Sequence, residues 1–148
     1  MNEQMTPSGL EYFRKMASGE IPRTPMGELL GLRLVEVDEG RVVFTAQATA
    51  AHHNTTGYAH GGFTATLLDS ALGCAINTLA QDGRVYTTLE LKINYIRPIT
   101  MEVGPLRCEA RALHVGRRVG MAEGRVVDGK GKLYAHGTTT CIALERSL

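Results

Sequence analysis

An α+β domain, a curved antiparallel sheet of order β-β-α-β-β-β-β wrapped around one long central helix, is the fold class this sequence predicts. Three observations carry the prediction. Six segments read as strands, several with strict two-residue alternation of apolar and polar residues. One segment alone, following Gly62, is apolar on nearly every side, as a helix enclosed by a sheet must be. No repeated strand–helix alternation occurs, which argues against a doubly wound parallel sheet.

The elements follow in order. A lead of residues 1–31 has helical character and precedes a single domain over 32–148. In "SGLEYFRKMAS", Ser8 to Ser18, the residues Leu10, Phe13 and Ala17 share one helical face, and Gly19 is the stop. "IPRTP", Ile21 to Pro25, breaks the chain, and "MGELLG", Met26 to Gly31, makes one helical turn. Leu32 to Val37 and Arg41 to Ala48 are strands joined by the turn signal Asp38-Glu39-Gly40. "AAHHNTTGYA" is a loop. The long helix runs from about His60 to Ala80, and Asp82-Gly83 ends it. In "VYTTLELKINYIRP", Leu89, Leu91, Ile93 and Tyr95 alternate with Thr88, Glu90, Lys92 and Asn94, and Pro98 closes the strand. "PLRCEARALHV" places Leu106, Cys108, Ala110 and Ala112 opposite Arg107, Glu109 and Arg111. "RRVGMAEGRVVD" is a strand whose two glycines predict a bulge or strong curvature. "DGKGK" is a tight turn, and "LYAHGTTTCIAL" is the last strand. Short connections among the last four strands require antiparallel pairing. The outer face and edges of such a sheet need cover, which favours self-association.

Composition narrows the function classes. The 148 residues suffice for one domain with its own core, at 43% hydrophobic and 21% charged content. A net charge of +1 gives no broad electrostatic case for nucleic acid or an anionic membrane. Cys74, Cys108 and Cys141 are odd in number and form no CxxC pair, so buried free thiols in a reducing, cytoplasmic setting are expected. The opening "MNEQMTPSGL" lacks the apolar region of a secretory signal, and the apolar helix, interrupted by Thr, Asp, Ser and Asn, reads as core rather than a membrane span.

From Phe63 to Ala80 the only charged residue is Asp69. The polar residues around it are ordered: Thr66, Asp69, Ser70, Gly73 and Asn77 recur at spacings of three and four and form one stripe, which must face something other than the sheet. A buried carboxylate is either held in a structural ion pair with a strand arginine or works as a base or nucleophile in a cleft. Upstream, His60-Gly61-Gly62 opens the same helix. Its glycines let another molecule approach the backbone, and its free N–H groups and helix dipole suit an oxyanion.

Asn54, "HGG" at 60–62, Asp69 and the strand ending "YIRP" together resemble the hotdog-fold thioesterases. The nearest branch is the PaaI-like (phenylacetyl-CoA thioesterase-like) group, including acyl-CoA thioesterase 13-like members, and the resemblance spans Leu32 to Leu144. It implies hydrolysis of an acyl-CoA thioester, with Asp69 as general base or nucleophile. It further implies that Gly61 N–H binds the thioester carbonyl oxygen, that His60 shapes that loop and that Gly62 is a substrate-binding residue beside it. Asn54 would lie near the carbonyl or the attacking water. Thr88, counted back from Tyr95, would assist the water, with Thr87 the adjacent alternative. The resemblance also implies a site shared between subunits of a homodimer, doubled into a homotetramer.

The chemistry needs no metal or cofactor, because a thioester carbonyl is electrophilic and its thiolate leaves readily. The phosphates of coenzyme A need cations, and the candidates are Arg97 and the Arg117-Arg118 pair after Gly116. No GxSxG, Walker or GxGxxG motif occurs. His52 and His53 lack a spaced third ligand for a metal. Two other functions stay open. One is a hotdog hydratase or dehydratase using His60 and Asp69 as its acid–base pair. The other is a non-catalytic acyl-CoA-binding protein, although the roughly 30 residues ahead of the first strand are too few for a helix-turn-helix module.

Overall fold

The computed structural model describes residues 8–145; the first seven residues of the lead and the last three of the domain expected over 32–148 lie outside them. Helix α1 (Gly9–Ser18) starts where the Ser8 hydroxyl accepts the Glu11 N–H, and it stops at left-handed Gly19. Helix α2 (Pro25–Leu30) has a Thr24 cap, Pro25 in its first turn and Gly31 as its left-handed stop.

Six strands form one antiparallel sheet. They are β1 (Arg33–Asp38), β2 (Arg41–Ala46), β3 (Arg84–Tyr95), β4 (Leu106–Val115), β5 (Val119–Val127) and β6 (Leu133–Glu145), with helix α3 (Gly61–Asn77) between β2 and β3. Their spatial order is β1-β2-β4-β5-β6-β3. The first strand after the helix therefore crosses to the far edge, and the sheet curls around α3. Phe63, Leu67, Leu68, Ala71, Leu72, Ala75 and Ile76 of α3 are buried against the inner face. Each fully buried leucine there contributes about 2 kcal/mol of transfer free energy. The predicted stripe, Thr66, Asp69, Ser70, Gly73 and Asn77, is only half-buried, so the sheet leaves that side of α3 uncovered. Helix α1 packs on β1 and the end of α3, and its Met16 joins the same core.

Three details differ from the sequence expectation. Helix α3 ends at Asn77 rather than Ala80. The Asn77 side chain donates to Tyr86 O (2.9 Å) and accepts from Tyr86 N (2.8 Å), while Thr78 Oγ1 donates to Ala75 O and accepts from Gly40 N, each at 2.7 Å. These side chains take up the terminal backbone groups and tie the helix end to β3 and to the β1–β2 turn.

The second difference is in β3, where the register shifts between Thr88 and Glu90. Leu89 is the extra residue and is 64% exposed, instead of sharing a face with Leu91, Ile93 and Tyr95. The inward set becomes Tyr86 and Thr88 before the bulge and Leu91, Ile93 and Tyr95 after it, opposite Ala143, Cys141, Thr139, Gly137 and Ala135 of β6.

The third concerns the β5 glycines. Gly120 and Gly124 are paired with both neighbours, and the extra residues along β5 belong to those neighbours, Leu113 of β4 and Tyr134 of β6. The place of the two glycines is explained by the helix: a Cβ on Gly120 would stand 2.6 Å from Ile76 Cγ2, and one on Gly124 3.2 Å from Leu72 Cδ2.

Gly120→Ala should therefore destabilise the fold by about 1–3 kcal/mol through overpacking. Gly73→Ala, where a Cβ meets nothing within 4 Å, should stabilise it by about 1 kcal/mol through helix propensity. Urea unfolding of the two variants beside the wild type measures both.

Candidate active site

The uncovered stripe of α3 lies beside edge strand β3, and two hydrogen bonds join them. Thr88 Oγ1 donates to Asp69 Oδ1 at 2.7 Å. Tyr95 OH donates to Gly61 O at 2.7 Å. In an unbulged strand Thr88 and Tyr95 would point to opposite faces; the extra residue at Leu89 turns both toward the helix.

Asp69 has no cationic partner among the described residues; the arginine pairs of the molecule lie elsewhere, as in Arg41 with Glu36, Asp38 and Glu109. A structural ion pair is thus not its reason for being there. Its carboxylate is half-buried at a cleft of about 280 Å³ lined by Phe13, Met16, Leu34, Phe44, Gly73 and Tyr86 among others. Two thiols sit nearby. Burial foremost, then the charge of Asp69, pushes Cys74 up to about 12. Burial also raises Cys141, with the Asp69 charge acting in the same direction. Both stay protonated near neutral pH, so neither is an activated nucleophile.

Eight residues upstream, the helix start is built by His60. Its Nδ1 accepts the Gly62 N–H at 2.8 Å, and its carbonyl accepts the Phe63 N–H at 2.9 Å. An accepting Nδ1 places the ring proton of the neutral side chain on Nε2. The Gly61–Gly62 peptide is thereby held at both ends, by Tyr95 on its carbonyl and His60 on its N–H. The Gly61 N–H has no partner among the described residues. A Cβ on Gly61 would lie 3.3 Å from Tyr95 Oη, so any larger residue would push the ring back by a few tenths of an ångström.

Asn54 shapes the loop before the helix: its Oδ1 accepts from Thr56 N (2.9 Å), Thr56 Oγ1 (2.7 Å) and Tyr58 N (3.2 Å), which leaves its Nδ2 for other partners. His52 accepts the Thr49 N–H and stacks on Phe63, with centroids 4.5 Å apart. Among the described residues no group of three His, Cys, Asp or Glu side chains could hold a metal ion. Thr87, the alternative to Thr88, also lines the cleft, but Thr88 makes the bond to Asp69.

Gly61 and Asp69 of one chain do not meet. Eight helical residues separate them by about 12 Å, whereas groups acting on one reacting carbon must both lie within about 3 Å of it.

Gly116 fixes the β4–β5 turn, its carbonyl accepting the Tyr86 hydroxyl at 2.6 Å and its N–H donating to Val119 O at 2.8 Å. Arg117 and Arg118 follow, exposed, and line a shallow cleft of about 250 Å³ with Arg84, Ile142 and Leu144. Arg84 carries no motif that would single it out in the sequence. Arg97 is not brought to this group. It donates to Leu133 O at 2.6 Å beyond the other end of β3, about 35 Å along the strand.

The curved sheet around the central helix α3 defines a hotdog-fold protein, with an unpaired carboxylate on the uncovered stripe and an open N–H at the glycine start of that helix. The sequence profile of the thioesterase superfamily matches residues 56–135, and the chain belongs to that family. It is 26% identical over 106 residues to 1,4-dihydroxy-2-naphthoyl-CoA hydrolase of Listeria monocytogenes, covering 72% of this chain and 85% of that protein. A conserved protein of Pseudomonas aeruginosa superposes with a TM-score of 0.77 at 37% identity, over 82% of this chain and 95% of its own. A phenylacetic acid degradation-related protein of Ralstonia eutropha superposes with a TM-score of 0.79 at 32% identity, over 88% and 98%. No described helix is long and apolar enough to cross a membrane.

Tyr95→Phe keeps the ring over Gly61 and removes one hydrogen bond. It should lower stability by about 1 kcal/mol and speed amide exchange in the first turn of α3 over the wild type. Exchange unchanged there would show that the hydroxyl does not hold the turn.

Proposed function

We propose that the protein is an acyl-CoA thioesterase, releasing a free carboxylic acid and coenzyme A. The observation that carries this reading is the Asp69 carboxylate, bonded by Thr88 at 2.7 Å, without a cationic partner among the described residues, in a cleft of mixed lining where Phe13, Leu34 and Phe44 stand with Arg23, Thr24 and Asn77. Asp69 takes a proton from water as the water attacks the thioester carbonyl, or attacks that carbon itself to give an anhydride that water then opens. Thr88 orients the carboxylate and presents its oxygen lone pairs to the water. The developing oxyanion is received by the Gly61 N–H, with the helix dipole behind it and the uncommitted Nδ2 of Asn54 as a second donor. His60 and Gly62 hold that N–H in place. The thiolate leaves without an acid of its own, and neither a metal nor an organic cofactor takes part.

The span between Gly61 and Asp69 gives the reading a second requirement: the site is completed across two copies, Gly61 and Asn54 of one facing Asp69 and Thr88 of the other. The free edge of β3, with Leu89, Tyr95 and Ile96 exposed, suits a homodimer, which pairs again into a homotetramer. Sedimentation that showed a fully active monomer would end this part of the proposal. Arg117 and Arg118, with Gly116 shaping the turn and Arg84 beside them, hold the CoA phosphates; Arg97 is a separate candidate contact. The Listeria relative, named as a CoA-thioester hydrolase, supports the CoA moiety.

Asp69→Asn keeps the acceptor for Thr88 and removes the base. Its kcat should fall at least ~10²-fold, with the melting temperature held or raised because no partner charge is orphaned. A folded variant of near wild-type turnover would end the assignment. Replacing Arg84, Arg117 or Arg118 by Ala should raise KM for an acyl-CoA by about tenfold with little change in kcat, and leave the matching acyl-pantetheine unaffected. Equal effects on the two substrates would remove the arginines from phosphate recognition.

A further inference from the structure

We propose that Tyr86 is a positioning residue for the coenzyme A phosphates. From inside the core its hydroxyl holds the turn that carries Arg117 and Arg118, and so sets where their guanidinium groups meet the substrate. The proposal rests on the thioesterase reading above, which assigns that turn to the phosphates, and adds what keeps the turn in place.

The two arginines are exposed and stand on the short connection between β4 and β5. Backbone bonds hold part of it. The Gly116 N–H donates to Val119 O at 2.8 Å and closes the turn on itself, and the Ala143 N–H donates to Arg118 O at 2.8 Å and ties its far side to β6. Its near side is tied to β3 by Tyr86, whose hydroxyl donates to Gly116 O at 2.6 Å. Among the described residues this is the one side-chain hydrogen bond that reaches the turn. A guanidinium fork reads a phosphate in a fixed orientation, so a turn that shifts loses part of that contact.

Tyr86 is a firm anchor. It is 7% exposed and belongs to the core cluster. Asn77 of α3 fixes its backbone at both polar groups, at 2.8 Å to N and 2.9 Å to O. Its ring lies against Gly120, where a Cβ would stand 3.3 Å from Cδ1. A phenylalanine would fill the same space. Core packing has no use for the hydroxyl, whose burial is unfavourable unless it is bonded. What the hydroxyl adds is a link from the end of α3, through Asn77 and Tyr86, to the carbonyl that precedes the two arginines. Both ends of the link lie in one chain, so it does not depend on which copy completes the site. A bond of this kind favours the held turn by about threefold to tenfold, and only the held fraction presents both arginines to a phosphate.

The test is Tyr86→Phe in the full chain, made in the wild type and in the double variant Arg117→Ala, Arg118→Ala. Coenzyme A binding is titrated calorimetrically, KM is measured for an acyl-CoA and the matching acyl-pantetheine, and thermal unfolding checks that each variant is folded. Tyr86→Phe should weaken CoA binding at least ~3-fold. It should raise KM at least ~3-fold more for the acyl-CoA than for the acyl-pantetheine. Added to the double arginine variant it should weaken CoA binding no further, because it acts through those two side chains. A hydroxyl that served the core alone would lower the melting temperature and leave CoA affinity where it was. That result, equal KM changes for the two substrates, or a full additional loss in the arginine variant would each overturn the proposal and leave the thioesterase reading intact. A wild type that shows the coupling in CoA binding but hydrolyses no CoA thioester would overturn that reading alone. A wild type that binds no coenzyme A would overturn both.

Discussion

The enclosure of α3 by the sheet is the constraint on which everything else rests. A helix with leucine and isoleucine on most of its circumference can be wrapped only if the strands come close to its axis. Gly120, Gly124 and Gly137 permit this: they stand where Ile76, Leu72 and Leu68 press outward, and each would collide or crowd with a Cβ. Because those contacts close the sheet on one side, the remaining side of α3 is left to Thr66, Asp69, Ser70, Gly73 and Asn77. The location of the site is thus a by-product of core packing, set by which stripe of one helix the sheet cannot reach.

A single inserted residue then connects that stripe to its neighbours. Without Leu89 as a bulge, β3 could aim either Thr88 or Tyr95 at the helix, and not both. With it, one strand reaches the carboxylate at the middle of α3 and the peptide plane at its start. The bulge breaks a regular edge and leaves a leucine in solvent, a local loss of packing offset by control over two points on the helix.

Much of this was legible beforehand. Ser8 and Gly19 mark the ends of the first helix through chemistry that acts within four residues, and the apolar content of Phe63 to Ala80 with its lone Asp69 announced both the central helix and the candidate carboxylate. What stayed hidden depends on contacts distant in sequence. The alternation through Leu89, Leu91, Ile93 and Tyr95 is uninterrupted on paper, and only pairing with β6 reveals the extra residue. Gly120 and Gly124 looked like weak points of a strand because their partner, the helix, lies more than 40 residues earlier. Arg84 joins Arg117 and Arg118 through the fold alone. Phe13 read as part of one helical face with Leu10 and Ala17, and nothing in that spacing says that it and Met16 line the cleft beside Asp69.

The two cysteines beside Asp69 bear on what the cleft must avoid. A thioester held next to a thiolate exchanges its acyl group, and the protein would end each encounter covalently blocked. With Cys74 pushed up to about 12, by burial first and by the neighbouring carboxylate second, that thiol stays protonated at neutral pH. The charge of Asp69 thus adds to burial in keeping a neighbouring sulfur unreactive toward any electrophile that enters the cleft.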